Sequence, residues 1–175
     1  LDETRLPDPG TAPSSGFPGG VDARGFVPGQ VFGSRYRIIR ELGRGGMGVV
    51  YQAWDDELAV AVALKIVRPE KATDLRAAQD LERRFKRELV LARQVTHKHV
   101  IRIHDLGEVD GTKYFTMPFV QGETLSALLR REGRLPVPRA LSLARQIVSG
   151  LVAAHEVGIV HRDLKPANIM VDADD

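Results

Sequence analysis

Between Arg35 and Trp54 the chain reads strand, glycines, strand, and that order limits the fold more than any other stretch. Arg35-Tyr36-Arg37-Ile38-Ile39-Arg40-Glu41-Leu42 has the alternation of a β-strand. Gly43-Arg44-Gly45-Gly46-Met47-Gly48 follows, and then Val49-Val50-Tyr51-Gln52-Ala53-Trp54, a β-favouring run. The expected element is a hairpin. Its glycines let backbone N–H groups approach a phosphate with no Cβ in the way, and they accept positive φ. Taken alone, a phosphate cradle and a plain glycine hairpin both fit.

The next apolar run, 59–68, reads as a strand interrupted by Lys65. A lysine among buried neighbours must reach out to water or find an anion. Residues 77–95 read as a helix with Leu81, Phe85, Glu88, Ala92 and Val95 on one stripe. Glu88 is the charged member of that stripe, and Lys65 is the cation sought for it; a rim pair with a neighbouring arginine is the alternative. Residues 100–107 and 113–120 read as strands joined through the turn signal Asp110-Gly111. His97, His99 and His104 lack carboxylate or thiolate companions at metal-site spacing.

Thr124 is placed to cap a short helix that Gly133 ends. Residues 137–157 read as a longer helix with Ala140, Ala144, Ile147, Leu151 and Ala154 on its buried stripe, stopped by Gly158. The helix delivers the chain into residues 159–170, where two short apolar runs enclose His161-Arg162-Asp163-Leu164-Lys165-Pro166-Ala167-Asn168. A carboxylate, an amine and an amide within six residues suit proton acceptance, phosphate neutralisation and Mg²⁺ ligation.

Those eight positions resemble the protein-kinase catalytic loop H-R-D-L-x-x-x-N, with the lysine two residues after the aspartate that the serine/threonine branch carries. Val62-Ala63-Leu64-Lys65 is similar to the family's V-A-I-K strand, and Gly43 to Val50 complete G-x-G-x-x-G-x-V. The phrases Arg44-Gly45-Gly46-Met47-Gly48 and His161 to Met170 look most like bacterial serine/threonine kinases. The resemblance implies ATP and Mg²⁺, with Leu42, Gly43, Arg44, Gly45, Gly46, Met47, Gly48 and Val50 around the nucleotide. It implies Lys65 on the α- and β-phosphates, held by Glu88, and Asp163 and Lys165 as catalytic residues. The resemblance also implies Asn168 as a metal ligand. Met117 falls at the gatekeeper position. By the same resemblance the backbone of Pro118 and Val120 would bond adenine, Glu123 would reach the ribose, and Ala63 and Met170 would join Leu42 and Val50 about the ring. Family members commonly carry an acidic residue in place of Pro118; a carbonyl contact is compatible with proline. Arg162 would answer to a phosphorylated activation loop.

The fold class implied is α+β and protein-kinase-like. It has a small lobe of about five antiparallel strands with one helix, then the beginning of a mainly helical large lobe. Residues 1–34, rich in Pro, Gly and Ser, are expected to be a flexible linker, with the kinase domain over 35–175 divided near residue 120. In the family a D-F-G element follows soon after a strand such as Ile169-Met170-Val171. The sequence ends before one, so the stretch is expected to be an incomplete domain, inactive alone and leaving apolar surface of the 137–157 helix uncovered. The 175 residues carry 25 Lys and Arg against 23 Asp and Glu, a balance that does not point to nucleic acid. No cysteine is present, and no apolar run is long enough to cross a membrane. A cytoplasmic location is expected, with an anchor beyond this stretch left open.

Expected partners are ATP, proteins offering Ser or Thr hydroxyls, and a second copy for autophosphorylation. The runner-up is a kinase-like module that binds nucleotide or protein without turnover. A dinucleotide-binding enzyme fails on order, because it needs a helix directly after the glycines.

Overall fold

The structure, a computed structural model, describes residues 25–45, 48–67 and 93–173. Six antiparallel strands form one sheet in the order β1-β2-β3-β4-β6-β5. They are β1 (Val31–Phe32), β2 (Tyr36–Gly45), β3 (Gly48–Asp55), β4 (Val60–Val67), β5 (Leu106–Val109) and β6 (Thr112–Pro118). The Gly45↔Gly48 pair closes the β2–β3 hairpin, as the glycine stretch predicts. The strand expected over 100–107 begins at Leu106. Before it, two backbone bonds and the Thr116 hydroxyl, which accepts the Asp105 N–H, tie His104 and Asp105 to Thr116.

Register sorts the side chains. Tyr51↔Leu64 and Ala53↔Val62 share one face, and Val50↔Lys65 with Ala63↔Met117 share the other. The first face is the core: Val49, Tyr51, Ala53, Val62, Leu64 and Ile66 cluster with Phe32, Tyr36 and Ile38. Each large apolar side chain buried there stabilises the fold by about 2 kcal/mol. Shifts in the β2–β3 register between Ile38 and Arg40 and between Glu41 and Gly43 bend β2 as it reaches the glycines.

One boundary is corrected. Residues 25–34, expected in the flexible linker, are folded onto the sheet. Val31 and Phe32 pair with Arg37 and Tyr36, and Phe26 packs against the core. Pro/Gly composition described the segment poorly because its two phenylalanines have an apolar face to cover. Residues 1–24 lie outside the described residues, as do residues 77–92 of the helix expected over 77–95; at its expected end Arg93 and Gln94 are in a turn and Val95 is not helical.

Asp55 ends β3 with 1% of its surface exposed. It accepts two bonds from Arg35, at 2.8 and 2.7 Å, and the N–H groups of Glu57 and Leu58. Arg35 also reaches Asp105 at 3.2 Å, and the Tyr36 hydroxyl donates to the same carboxylate. Its bonds to Arg35, reinforced by the two amides, hold the Asp55 carboxyl below the usual range.

The chain then forms β7 (Gly122–Thr124), α1 (Leu125–Glu132), α2 (Val137–Glu156) and β8 (Met170–Asp172). Thr124 caps α1 as expected, its hydroxyl accepting from Ala127 N–H at 3.1 Å, and Gly133 closes it at φ 74°. The α2 stripe is corrected. Ala140 and Ala144 are exposed, and the buried members are Leu143 and Gly150, with Ile147, Leu151 and Ala154 half-buried. Packing turned the helix about one residue from the sequence estimate because Gly150 meets the 93–105 segment. A Cβ there would lie 2.9 Å from the His99 carbonyl oxygen. Beside it the His97 ring bonds the Ser149 hydroxyl at 3.0 Å. Apolar surface of α2 is uncovered, at Val137, Leu141, Val148 and Val152, a stripe adjacent to the one expected.

Candidate active site

Two groups of side chains make up the candidate site, one on the sheet and one on the loop between α2 and β8. On the sheet, Gly43, Val50, Lys65 and Phe115 are successive cross-strand partners. Ala63 and Met117 form the next row on the same face. The Lys65 ammonium lies 5.6 Å from the centre of the Phe115 ring. Burial holds its pKa below the ordinary lysine value. A desolvated cation of this kind gains from an anion delivered to it. Glu88, its expected partner, lies outside the described residues, as do Gly46 and Met47.

The glycines on β2 are informative by what surrounds them. A Cβ on Gly43 or Gly45 would meet nothing within 4 Å, and neither has positive φ. Internal packing therefore does not require glycine at either position. An open backbone surface remains, suited to close approach of a ligand. Gly48, at φ 136°, is in a region that side-chain-bearing residues rarely adopt. Leu42, at the second register shift, is exposed, and Arg44 faces the core side rather than the Lys65 side.

In the loop, three expected residues converge. Lys165 Nζ lies 2.8 Å from Asp163 Oδ2. Asn168 Nδ2 donates at 2.9 Å to both Asp163 Oδ2 and the Asp163 carbonyl. The Lys165 bond first, and then the Asn168 bond, holds the Asp163 carboxyl below its usual range. It is therefore ionised at neutral pH and ready to accept a hydroxyl proton's hydrogen bond. A 3₁₀ turn over Pro166–Asn168 sets this spacing, and Arg162 is at φ 60°. Asn168 spends its amide nitrogen on Asp163, which turns Oδ1, a hard neutral oxygen, into the atom suited to Mg²⁺.

The short β7–β8 ladder ties residues 122–124 to the loop exit; β8 matches the strand expected over Ile169-Met170-Val171 to within one residue, and β7 is not expected from the sequence. Glu123 pairs with Val171 and Thr124 with Met170, while Leu125 N–H donates to the Ile169 carbonyl at 2.8 Å. The three residues of β7 carry too little pattern to be read from sequence. Pro118 is exposed at the end of β6, and Val120 is half-buried beyond it. Glu123, expected at the ribose, is instead engaged by Arg131 of α1, with Nε at 3.2 Å.

The glycine hairpin and the desolvated Lys65 thus lie on the sheet, and the Asp163-Lys165-Asn168 loop leads into β8. The protein kinase domain model matches residues 36–175, and the chain belongs to that family. Serine/threonine-protein kinase PknE of Mycobacterium tuberculosis is 46% identical over 140 residues, covering 80% of this chain and 24% of that protein. PknH of the same organism is 42% identical over 154 residues, 88% of this chain and 24% of that protein. The crystal structure of the M. tuberculosis PknI kinase domain superimposes with a TM-score of 0.71 at 32% identity, covering 85% of this chain and 58% of that one. The chain thus spans about a quarter of the length of PknE and PknH.

Proposed function

We propose that the protein carrying this chain is a serine/threonine protein kinase, transferring the γ-phosphate of ATP to Ser or Thr hydroxyls of proteins. The observation that carries this reading is the Asp163-Lys165-Asn168 cluster, an ionised carboxylate held by an amine and an amide. The small lobe ends near residue 120, and residues 121–175 belong to the large lobe, with ATP between them. The backbone of Pro118 and Val120 takes adenine. Val50, Ala63, Met117 and Met170 border the ring, and the glycine stretch covers the phosphates. Lys65 neutralises α- and β-phosphate charge, an electrostatic role that its dry surroundings strengthen. The ribose role of Glu123 requires release from Arg131.

Asp163 accepts the hydrogen bond of the substrate hydroxyl and orients its oxygen toward the γ-phosphorus. As the new P–O bond forms, the bond to the β-phosphate oxygen breaks and ADP leaves. The hydroxyl proton passes to Asp163, and Lys165 balances charge on the transferring phosphoryl group. Mg²⁺, ligated by Asn168 Oδ1 among others, would neutralise phosphate charge when bound. A module without turnover would have no need of this intact cluster. Replacing Lys65 with Met and, separately, Asp163 with Asn in the full-length protein tests the assignment. Each should lower autophosphorylation by about a thousand-fold; wild-type rates in both would overturn it.

A further inference from the structure

The glycine stretch is held from behind. Arg44 is opposite Val49 in the ladder and so faces the core side of the sheet, away from Lys65. Its guanidinium donates to the two Glu41 carboxylate oxygens at 3.2 and 2.7 Å. Glu41 first, and to a smaller degree the Tyr51 hydroxyl, raises the pKa of this arginine. Tyr51 is itself buried, and its hydroxyl oxygen accepts the Phe26 N–H at 3.1 Å. Gly25, at φ +80°, lies directly over both groups. A Cβ there would be 2.6 Å from the Tyr51 hydroxyl oxygen and 2.8 Å from Arg44 Nη2. A side chain there would be strained by that φ and would have to displace both groups.

The segment is also anchored along its length. The Phe26 ring packs edge-on against Phe32 at 5.4 Å and Tyr51 at 5.9 Å. Gly29 N–H donates to the Ile38 carbonyl, and Ile38 N–H to the Gln30 carbonyl, each at 2.8 Å. Residues 25–32 therefore cross the core-side face of the hairpin, the face away from Lys65, as a strap. One end is pinned to β2, and the other touches the arginine between Gly43 and Gly45.

We propose that this strap positions the glycine stretch, with the Tyr51 hydroxyl as the group that links the two. Its functional consequence rests on the nucleotide reading above: the strap sets how the stretch meets the phosphates on the opposite face. It acts on nucleotide affinity and leaves the loop around Asp163 untouched. Tyr51→Phe is the informative change, because it removes one oxygen and keeps the ring in the core.

The experiment compares the full-length wild type with Tyr51→Phe, using hydrogen exchange over residues 43–50 and titration with Mg²⁺ and a fluorescent ATP analogue. Arg37→Ala, at the far end of β2 and paired with Asp56 at 2.9 Å, is the control. In Tyr51→Phe, exchange over 43–50 should quicken. Dissociation constant and KM for ATP should each rise roughly five-fold at unchanged kcat, the size of one lost hydrogen bond. Arg37→Ala should match wild type in both readouts. Unchanged exchange over 43–50 in Tyr51→Phe would overturn the strap. Quickened exchange alongside a wild type that shows no saturable nucleotide binding would uphold the strap and overturn the nucleotide reading.

Discussion

Among the described residues, nine side chains form one buried cluster in the six-stranded sheet, whereas three, Leu128, Leu143 and Val171, form the cluster around α1 and α2. The sheet holds its half of the site, Lys65 and the glycine hairpin, by packing. The loop holds its half by polar bonds: Asp163, Lys165 and Asn168 are exposed and organise one another. A grip on a charged nucleotide benefits from a dry, rigid face. A residue that must meet an incoming protein hydroxyl has to stay reachable. Val137 remains 70% exposed and Val148 56%, so apolar burial in the second region is small for a helix of 20 residues. Polar support there comes from the Thr124 cap of α1 and the β7–β8 ladder.

Four substitutions can break or sharpen that contrast. Leu64→Ala empties the centre of the sheet core, where Leu64 has 0% exposure. A loss of about 4 kcal/mol is expected, read as one cooperative shift in denaturant unfolding. Asp55→Asn leaves Arg35 without its closest anion and should cost about 3 kcal/mol at neutral pH.

The same aspartate gives a pH signature. Its folded pKa lies below the unfolded value of about 3.9, so its contribution is present above that pH and lost as pH falls through the folded pKa. Wild type should therefore lose stability below about pH 4 more steeply than Asp55→Asn, measured by thermal unfolding across the acid range.

Leu128→Ala removes the best-buried member of the smaller cluster and should cost about 2 kcal/mol. Here hydrogen exchange should rise over residues 121–173 and stay at wild-type levels in the sheet. A uniform rise would show that the two regions unfold as one. Thr124→Ala removes the cap of α1 and should cost about 1 kcal/mol, confined to the same residues.

Much of this was legible in the sequence where local chemistry decides the outcome. The hairpin followed from glycines between two β-favouring runs, and α1 from Thr124 and Gly133, because caps and turns are fixed within a few residues. The loop cluster was legible from the spacing of Asp163, Lys165 and Asn168. What depends on tertiary neighbours was not. The fold of residues 25–34 needed the sheet's core face to exist. The α2 stripe needed Gly150 to find His99, and the Glu123–Arg131 pair spans eight positions across a strand-to-helix join. β7 is three residues long and exists because residues 122–124 meet β8, the strand expected over Ile169-Met170-Val171, at the loop exit.

The most direct measurement is the separation of binding from turnover in Asp163→Asn of the full-length protein. Affinity for Mg²⁺-ATP and the rate of γ-phosphate transfer would be measured on the same preparation. A division of labour between sheet and loop predicts wild-type affinity with transfer slowed about a thousand-fold. Transfer at the wild-type rate would contradict it and remove Asp163 from the chemistry.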